Sequence, residues 1–106
     1  PSQTLANWPR VKTRPMFGRW GYFVGGRLFA CFPLRPKDAD LWIRLGPEDQ
    51  RRALAAGCPP HRRLSASGWV ECRVEAPRDV GRALRWLRRA YEGAEQIVER
   101  EERAEP

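Results

Sequence analysis

The residues most suggestive of chemistry are Cys58 and His61, separated by Pro59 and Pro60. A thiol and an imidazole at this spacing invite two readings: a metal site, or a Cys/His nucleophile pair. Reach counts against both. In a polyproline II conformation, at about 3.1 Å per residue, the two residues stand about 9 Å apart. Zinc needs its ligands within roughly 2–2.3 Å of one ion, and usually four of them. His61 is the only histidine, and the three cysteines (Cys31, Cys58, Cys72) contain no CxxC pair to complete a site. Cys31 and Cys72 fall in apolar, strand-like runs, where a free thiol packs as a small hydrophobe. Gly18, Gly21, Gly25 and Gly26 lead into a hairpin and lack the strand–GxxxxGK–helix context of a phosphate cradle. Asp38 and Asp40 belong to a turn, and the later carboxylates are interleaved with arginines, as in solvated intrahelical pairs. The expectation is no catalytic residue, no cofactor and no metal.

Binding chemistry is better represented. On two alternating strands, Leu41, Ile43, Leu45, Val70, Cys72 and Val74 would share one sheet face, leaving Trp42, Arg44, Trp69, Glu71 and Arg73 on the other. Aromatics interleaved with arginines on an open sheet can stack bases and pair phosphates. The competing reading is a second minicore, with Trp8 and Met16–Phe17 folded over that face, since large aromatics are rarely left bare. A second basic group, Arg82, Arg85 and Arg89 with Arg78, recurs every three or four residues along one side of the final helix. Seven acidic residues in the same segment also suit an ordinary solvated face. Candidate partners are thus nucleic acid or another protein.

The charge balance fits either partner. Twenty basic residues, eighteen of them arginine, against thirteen acidic ones give a net charge of +7. The excess is concentrated in residues 1–46, with eight basic and two acidic residues; residues 78–106 balance at seven each. Arginine suits bidentate phosphate contacts, although a GC-rich coding sequence also writes arginine on ordinary surfaces. No signal-like apolar region opens the chain, and the longest relevant apolar run, Leu28–Phe32, is far short of a bilayer span. The expected location is the cytoplasm.

The elements that position these residues follow from local pattern. At 106 residues the chain suits one domain, with residues 1–13 as an irregular arm and a core at about 14–94. Within the arm, Ser2 could cap a short turn through Trp8, and Pro9 and Pro15 bracket an extended basic stretch. Tyr22–Val24, the Gly25–Gly26 pair and Arg27–Phe32 predict a β-hairpin. Pro36–Asp40 predicts a turn, and Leu41–Leu45 and Trp69–Val74 predict further strands. Pro47 opens a short helix, with Glu48 and Asp49 complementing its dipole and Gly57 stopping it. Val80, Leu84, Leu87, Tyr91, Ala94 and Val98 then form one apolar stripe on a long helix from Pro77 to about Arg103. Residues 95–106 are expected to project or fray, with Ile97 and Val98 available to a second copy of the chain. The class is α+β: an antiparallel sheet of about four strands, packed on one face by a short helix and a long C-terminal helix.

Met16–Phe17–Gly18, Gly21–Tyr22, Gly26–Arg27 and Phe29–Ala30 resemble the opening of the TfoX/Sxy N-terminal domain, a relative of YjbR/MmcQ-like proteins. Leu41–Trp42–Ile43–Arg44, Ala56–Gly57, Pro77 and Arg89–Ala90–Tyr91 follow in the same order, so the likeness covers about residues 14–94. The family's N-terminal helix is mostly replaced here by Trp8–Pro9, and Trp69–Val70 is closer to the YjbR branch. The resemblance implies an α+β domain without a known cofactor or catalytic motif, found in bacterial regulators of competence. Its implied role is regulation or adaptation through DNA or a protein partner; the alternative, read from the apolar stripe of the last helix, is a protein-interaction or homodimerisation module with no nucleic-acid binding.

Overall fold

The computed structural model describes residues 8–16, 18–34 and 40–104. Five strands form one antiparallel sheet in chain order: β1 (Val11–Met16), β2 (Arg19–Val24), β3 (Arg27–Pro33), β4 (Asp40–Arg44) and β5 (Trp69–Arg73). Two helices accompany it, α1 (Pro47–Ala55) between β4 and β5, and α2 (Pro77–Ala104) after β5. The α+β class and the one-sided helical cover agree with the sequence.

The sheet has five strands rather than about four, and the addition is β1. Residues 11–13, expected in an irregular arm, pair with β2 from Val11–Val24 to Met16–Arg19. The basic stretch is extended because it is an edge strand. Its middle residues, Lys12 to Pro15, are exposed, so the strand carries no apolar alternation to advertise it. Of the turn expected from Ser2 through Trp8 only Trp8 is described; Phe17 and Pro36–Ala39 lie outside the described residues, and Asp40, expected in the Pro36–Asp40 turn, opens β4.

Between β2 and β3, Gly25 and Gly26 both have positive φ, 54° and 84°, which only glycine adopts readily. A bulge at Phe29 lets both Phe29 and Ala30 reach the core side of β3. Pro47 opens α1 and Gly57, at φ 102°, follows its end, as the sequence predicts. The second critical glycine is Gly68, at φ 98°: any Cβ there would run into the Leu45 carbonyl oxygen.

The core lies between the sheet and the helices. Val24, Phe29, Ile43, Val70 and Leu87 are almost completely buried, with Tyr22, Leu41, Cys72, Trp86, Ala90 and Tyr91 around them. The expected inward set is confirmed for Leu41, Ile43, Leu45, Val70 and Cys72.

Helix α2 is continuous over 28 residues, so it follows the long axis of a molecule measuring 47 × 27 × 24 Å. Its last turns are more engaged than the projecting end expected from sequence. Val98 is buried against the hairpin at Gly25, and Glu102 holds Arg10 at 2.9 Å. Val98 is therefore part of this chain's own core rather than a free contact for a second copy. Tyr91 donates its hydroxyl to the Pro9 carbonyl at 2.8 Å and stacks obliquely on Trp8, which places Trp8 on the helix side of the sheet.

Candidate functional site on the outer sheet face

The pairing of β4 with β5 sets Asp40 opposite Arg73, Trp42 opposite Glu71 and Arg44 opposite Trp69. Side chains opposed in this way share a face, so Trp42, Arg44, Trp69, Glu71 and Arg73 lie on the side away from the helices, as expected. The face is not bare. Trp69 is only 5% exposed and Trp42 is half-buried.

The cover differs from the one the sequence suggested. Trp8 is on the other side of the sheet. Met16 does lie on this face, over Gly21, Phe17 is outside the described residues, and the loop before β5 covers Trp42. Its start runs antiparallel to β5 through a Pro60–Val70 bridge, with the His61 N–H donating to the Trp69 carbonyl and the Glu71 N–H to the Pro59 carbonyl. This brings the His61 ring onto Trp42, centroids 4.5 Å apart and nearly perpendicular. The Arg19 guanidinium lies over the Trp42 ring at 4.1 Å and also binds the Asp40 carboxylate and carbonyl. Arg14 covers Phe23 in the same manner at 4.5 Å. Guanidinium planes on indole and phenyl rings are favourable cation–π contacts. Trp42 is thus held between a cation and an imidazole.

His61 is fixed through its other nitrogen. Nδ1 accepts hydrogen bonds from the backbone N–H groups of Arg63 and Leu64, each at 3.1 Å, so in the neutral ring the hydrogen resides on Nε2. That Nε2, Trp42 Nε1 and Arg19 Nε are all buried without a hydrogen-bond partner among the described residues. Three orphaned donors in one stack are unusual, because buried polar groups are nearly always paired.

Beside this stack is a cavity of about 410 Å³ lined by Asp40, Trp42, His61, Arg62, Arg63, Glu71 and Arg73. Arg73 is held by Glu75 at 2.7 Å, whereas Arg62 and Arg63 are exposed with no ion pair among the described residues. Of the residues singled out from sequence, Trp42 and Arg73 meet here. Trp69 lies buried in the same face. Arg44 turns instead to the Ser67 carbonyl and to a separate cavity of about 220 Å³, shared with Arg27 and Arg89. Burial, and then the nearby Arg27 charge, lower the Arg44 pKa from its ordinary value.

The helical stripe is divided. Arg89 makes two hydrogen bonds to Asp49 of α1, and Arg82 binds Asp79 and the Ala56 carbonyl at the end of α1. These arginines tie the two helices together. Arg85, between them, is exposed. Arg19, His61, Arg62 and Arg63 were missed as site residues. The CPPH spacing drew attention to metal chemistry, whereas the relevant signal was the pair of arginines directly after His61. Among the described residues no group of three or more His, Cys, Asp or Glu side chains could hold a metal ion. No helix is long and apolar enough to cross a membrane.

No curated protein and no solved structure matches the chain. Among known families, residues 3–94 match the TfoX N-terminal domain, which is not a known enzyme family and suggests a regulatory or adaptor role. This match, with the sheet and helices described above, makes the chain a member of the TfoX N-terminal domain family.

Proposed function

We propose that this is a non-enzymatic regulatory domain that binds nucleic acid through phosphate contacts at the outer sheet face. The observation that carries the reading is the cavity lined by Arg62, Arg63 and Arg73, whose lining residues Trp42 and His61 bring buried N–H donors with no acceptor among the described residues. Phosphate oxygens are acceptors and carry the negative charge that Arg62 and Arg63 can pair, with Asp40 and Glu71 as the acidic residues of the same lining. Base stacking is a poorer fit, because Trp69 is covered and both sides of Trp42 are engaged.

The test is fluorescence anisotropy on labelled duplex and single-stranded DNA across a salt series. Binding should weaken steeply with salt, with a log–log slope of about 0.9 per phosphate neutralised on duplex. Replacing Arg62 and Arg63 together by alanine should flatten that slope by about 1.8 if each makes one contact. Absence of binding to both forms at low salt, or an unchanged slope in the double variant, would reject the proposal.

A protein partner is the second reading, favoured by one observation. Trp20, next to Arg19 on β2, and Leu34, just after β3, are 42% and 49% exposed. Homodimerisation centred on Val98 is less favoured, since that side chain is buried within its own chain.

A further inference from the structure

The segment that covers the outer face also brings two thiols together on the inner one. The two hydrogen bonds that flank the Pro60–Val70 bridge make it a non-hydrogen-bonded, close pair of an antiparallel ladder. Two residues back along the segment is Cys58, and two residues on along β5 is Cys72. Such opposed pairs bring their Cα atoms to about 4.5 Å, within the range of about 4.4–6.8 Å that a disulfide spans. The sulfurs agree: Cys58 Sγ and Cys72 Sγ are 2.9 Å apart, and both cysteines are buried. They contribute to the wall of a cavity of about 320 Å³, together with Arg78, Asp79 and Arg82. A peroxide-sized molecule fits such a space; a folded protein does not.

We propose that Cys58 and Cys72 form a peroxide-responsive dithiol that closes to an intramolecular disulfide. Cys58 is the attacking thiol. Its thiolate attacks one peroxide oxygen, an S–O bond forms, the O–O bond breaks, and hydroxide leaves to take a proton from solvent. The Cys72 sulfur then attacks the Cys58 sulfenic acid, the S–S bond forms, and the S–O bond breaks. The leaving hydroxide departs as water with the Cys72 proton. Two thiols are oxidised by two electrons and one peroxide is reduced to two waters.

The surroundings divide these roles. The hydrogen bond from Cys72 pulls the Cys58 thiol down to about 7, against the opposing effect of burial and with help from Arg82. Cys72 shifts upward, as donor of that bond and through burial. Cys31 provides an internal reference: burial pushes it up to about 11. The inference holds whether or not the outer face binds nucleic acid.

Peptide mapping of the intact protein before and after hydrogen peroxide tests it without any variant. The free thiol count should fall from three to one. The mapped species should be a Cys58–Cys72 cross-link, lighter by two hydrogen atoms, with Cys31 still alkylatable and all thiols recovered on reduction. Closure should accelerate as pH rises from about 6 to about 8, as the attacking thiol ionises. In Cys72→Ser, a sulfenic acid should accumulate on Cys58 and be trapped by dimedone. Three surviving thiols, a cross-link to Cys31 or between two copies, or direct passage of wild-type Cys58 to sulfinic acid would overturn the proposal.

Discussion

The two faces of one sheet are built on opposite rules. The helix-covered face is dry and apolar, and Ile43, Val70, Phe29 and Leu87 mesh there with almost no exposure. The outer face is as well covered at Trp69 and Phe23, but by guanidinium groups, an imidazole and a loop. Among the described residues three of its buried donors, on Arg19, Trp42 and His61, have no acceptor, against one on the inner face, Trp86 Nε1. Alternation along the same strands therefore separates two duties, one side holding the fold and the other retaining unused hydrogen-bonding capacity. Unpaired buried donors are a net loss of stability, and such losses tend to gather where a protein meets its partners.

The strongest way to break this contrast is to cut into the inner face. Leu87→Ala or Ile43→Ala should destabilise the domain by about 2–5 kcal/mol in chemical denaturation, because a cavity opens in close-packed surroundings. A loss below about 1 kcal/mol would mean that the inner face is not the better packed of the two. Trp42→Phe sharpens the comparison from the other side. It keeps an aromatic under Arg19 while deleting the orphaned Nε1 donor, so stability should change by less than about 1.5 kcal/mol. DNA binding should nevertheless weaken. Equal losses of stability from Trp42→Phe and Leu87→Ala would contradict the division of duties.

Smaller effects are expected where charges join the helices. Arg89→Ala removes a partly exposed pair with Asp49, so the melting temperature should drop only slightly, and less still in high salt. The smallest effect appears only in acid. Backbone hydrogen bonds from Glu75 and Ala76 hold the Asp79 carboxyl below its ordinary value at the start of α2. A carboxyl with a depressed folded-state pKa stabilises fully above its unfolded pKa, and that contribution disappears as pH falls through the lower folded value. Asp79→Asn should therefore reduce thermal stability at neutral pH and have little effect well below the ordinary carboxylate range.

How much of this was legible in the sequence depended on whether a segment's purpose showed in its period. The alternation of Leu41–Leu45 and Trp69–Val74, the Gly25–Gly26 hairpin and the α2 stripe each declare their geometry locally. Strand β1 does not, because an exposed edge strand with Lys12, Arg14 and Pro15 has the composition of a loop. The candidate site was half visible. Periodicity assigns Trp42 and Arg73 to one face, but the approach of His61 depends on an isolated bridge from a proline-rich segment, which no period encodes. The closeness of Cys58 to Cys72 has the same origin, since fourteen residues separate them along the chain.

The strictly sequential strand order has a consequence for how the protein is made. Every strand pairs with the one before it, so the sheet can assemble as the chain emerges from the ribosome. Its cover is synthesised last: Trp86, Leu87, Ala90 and Tyr91 all belong to α2, which follows β5. Until that helix arrives, the nascent sheet leaves Phe29, Ile43 and Val70 uncovered at the ribosome. Slow decoding of the Pro77–Ala104 codons would prolong that exposure, so synthesis rate through α2, more than the stability of the finished domain, should govern how much protein is recovered soluble.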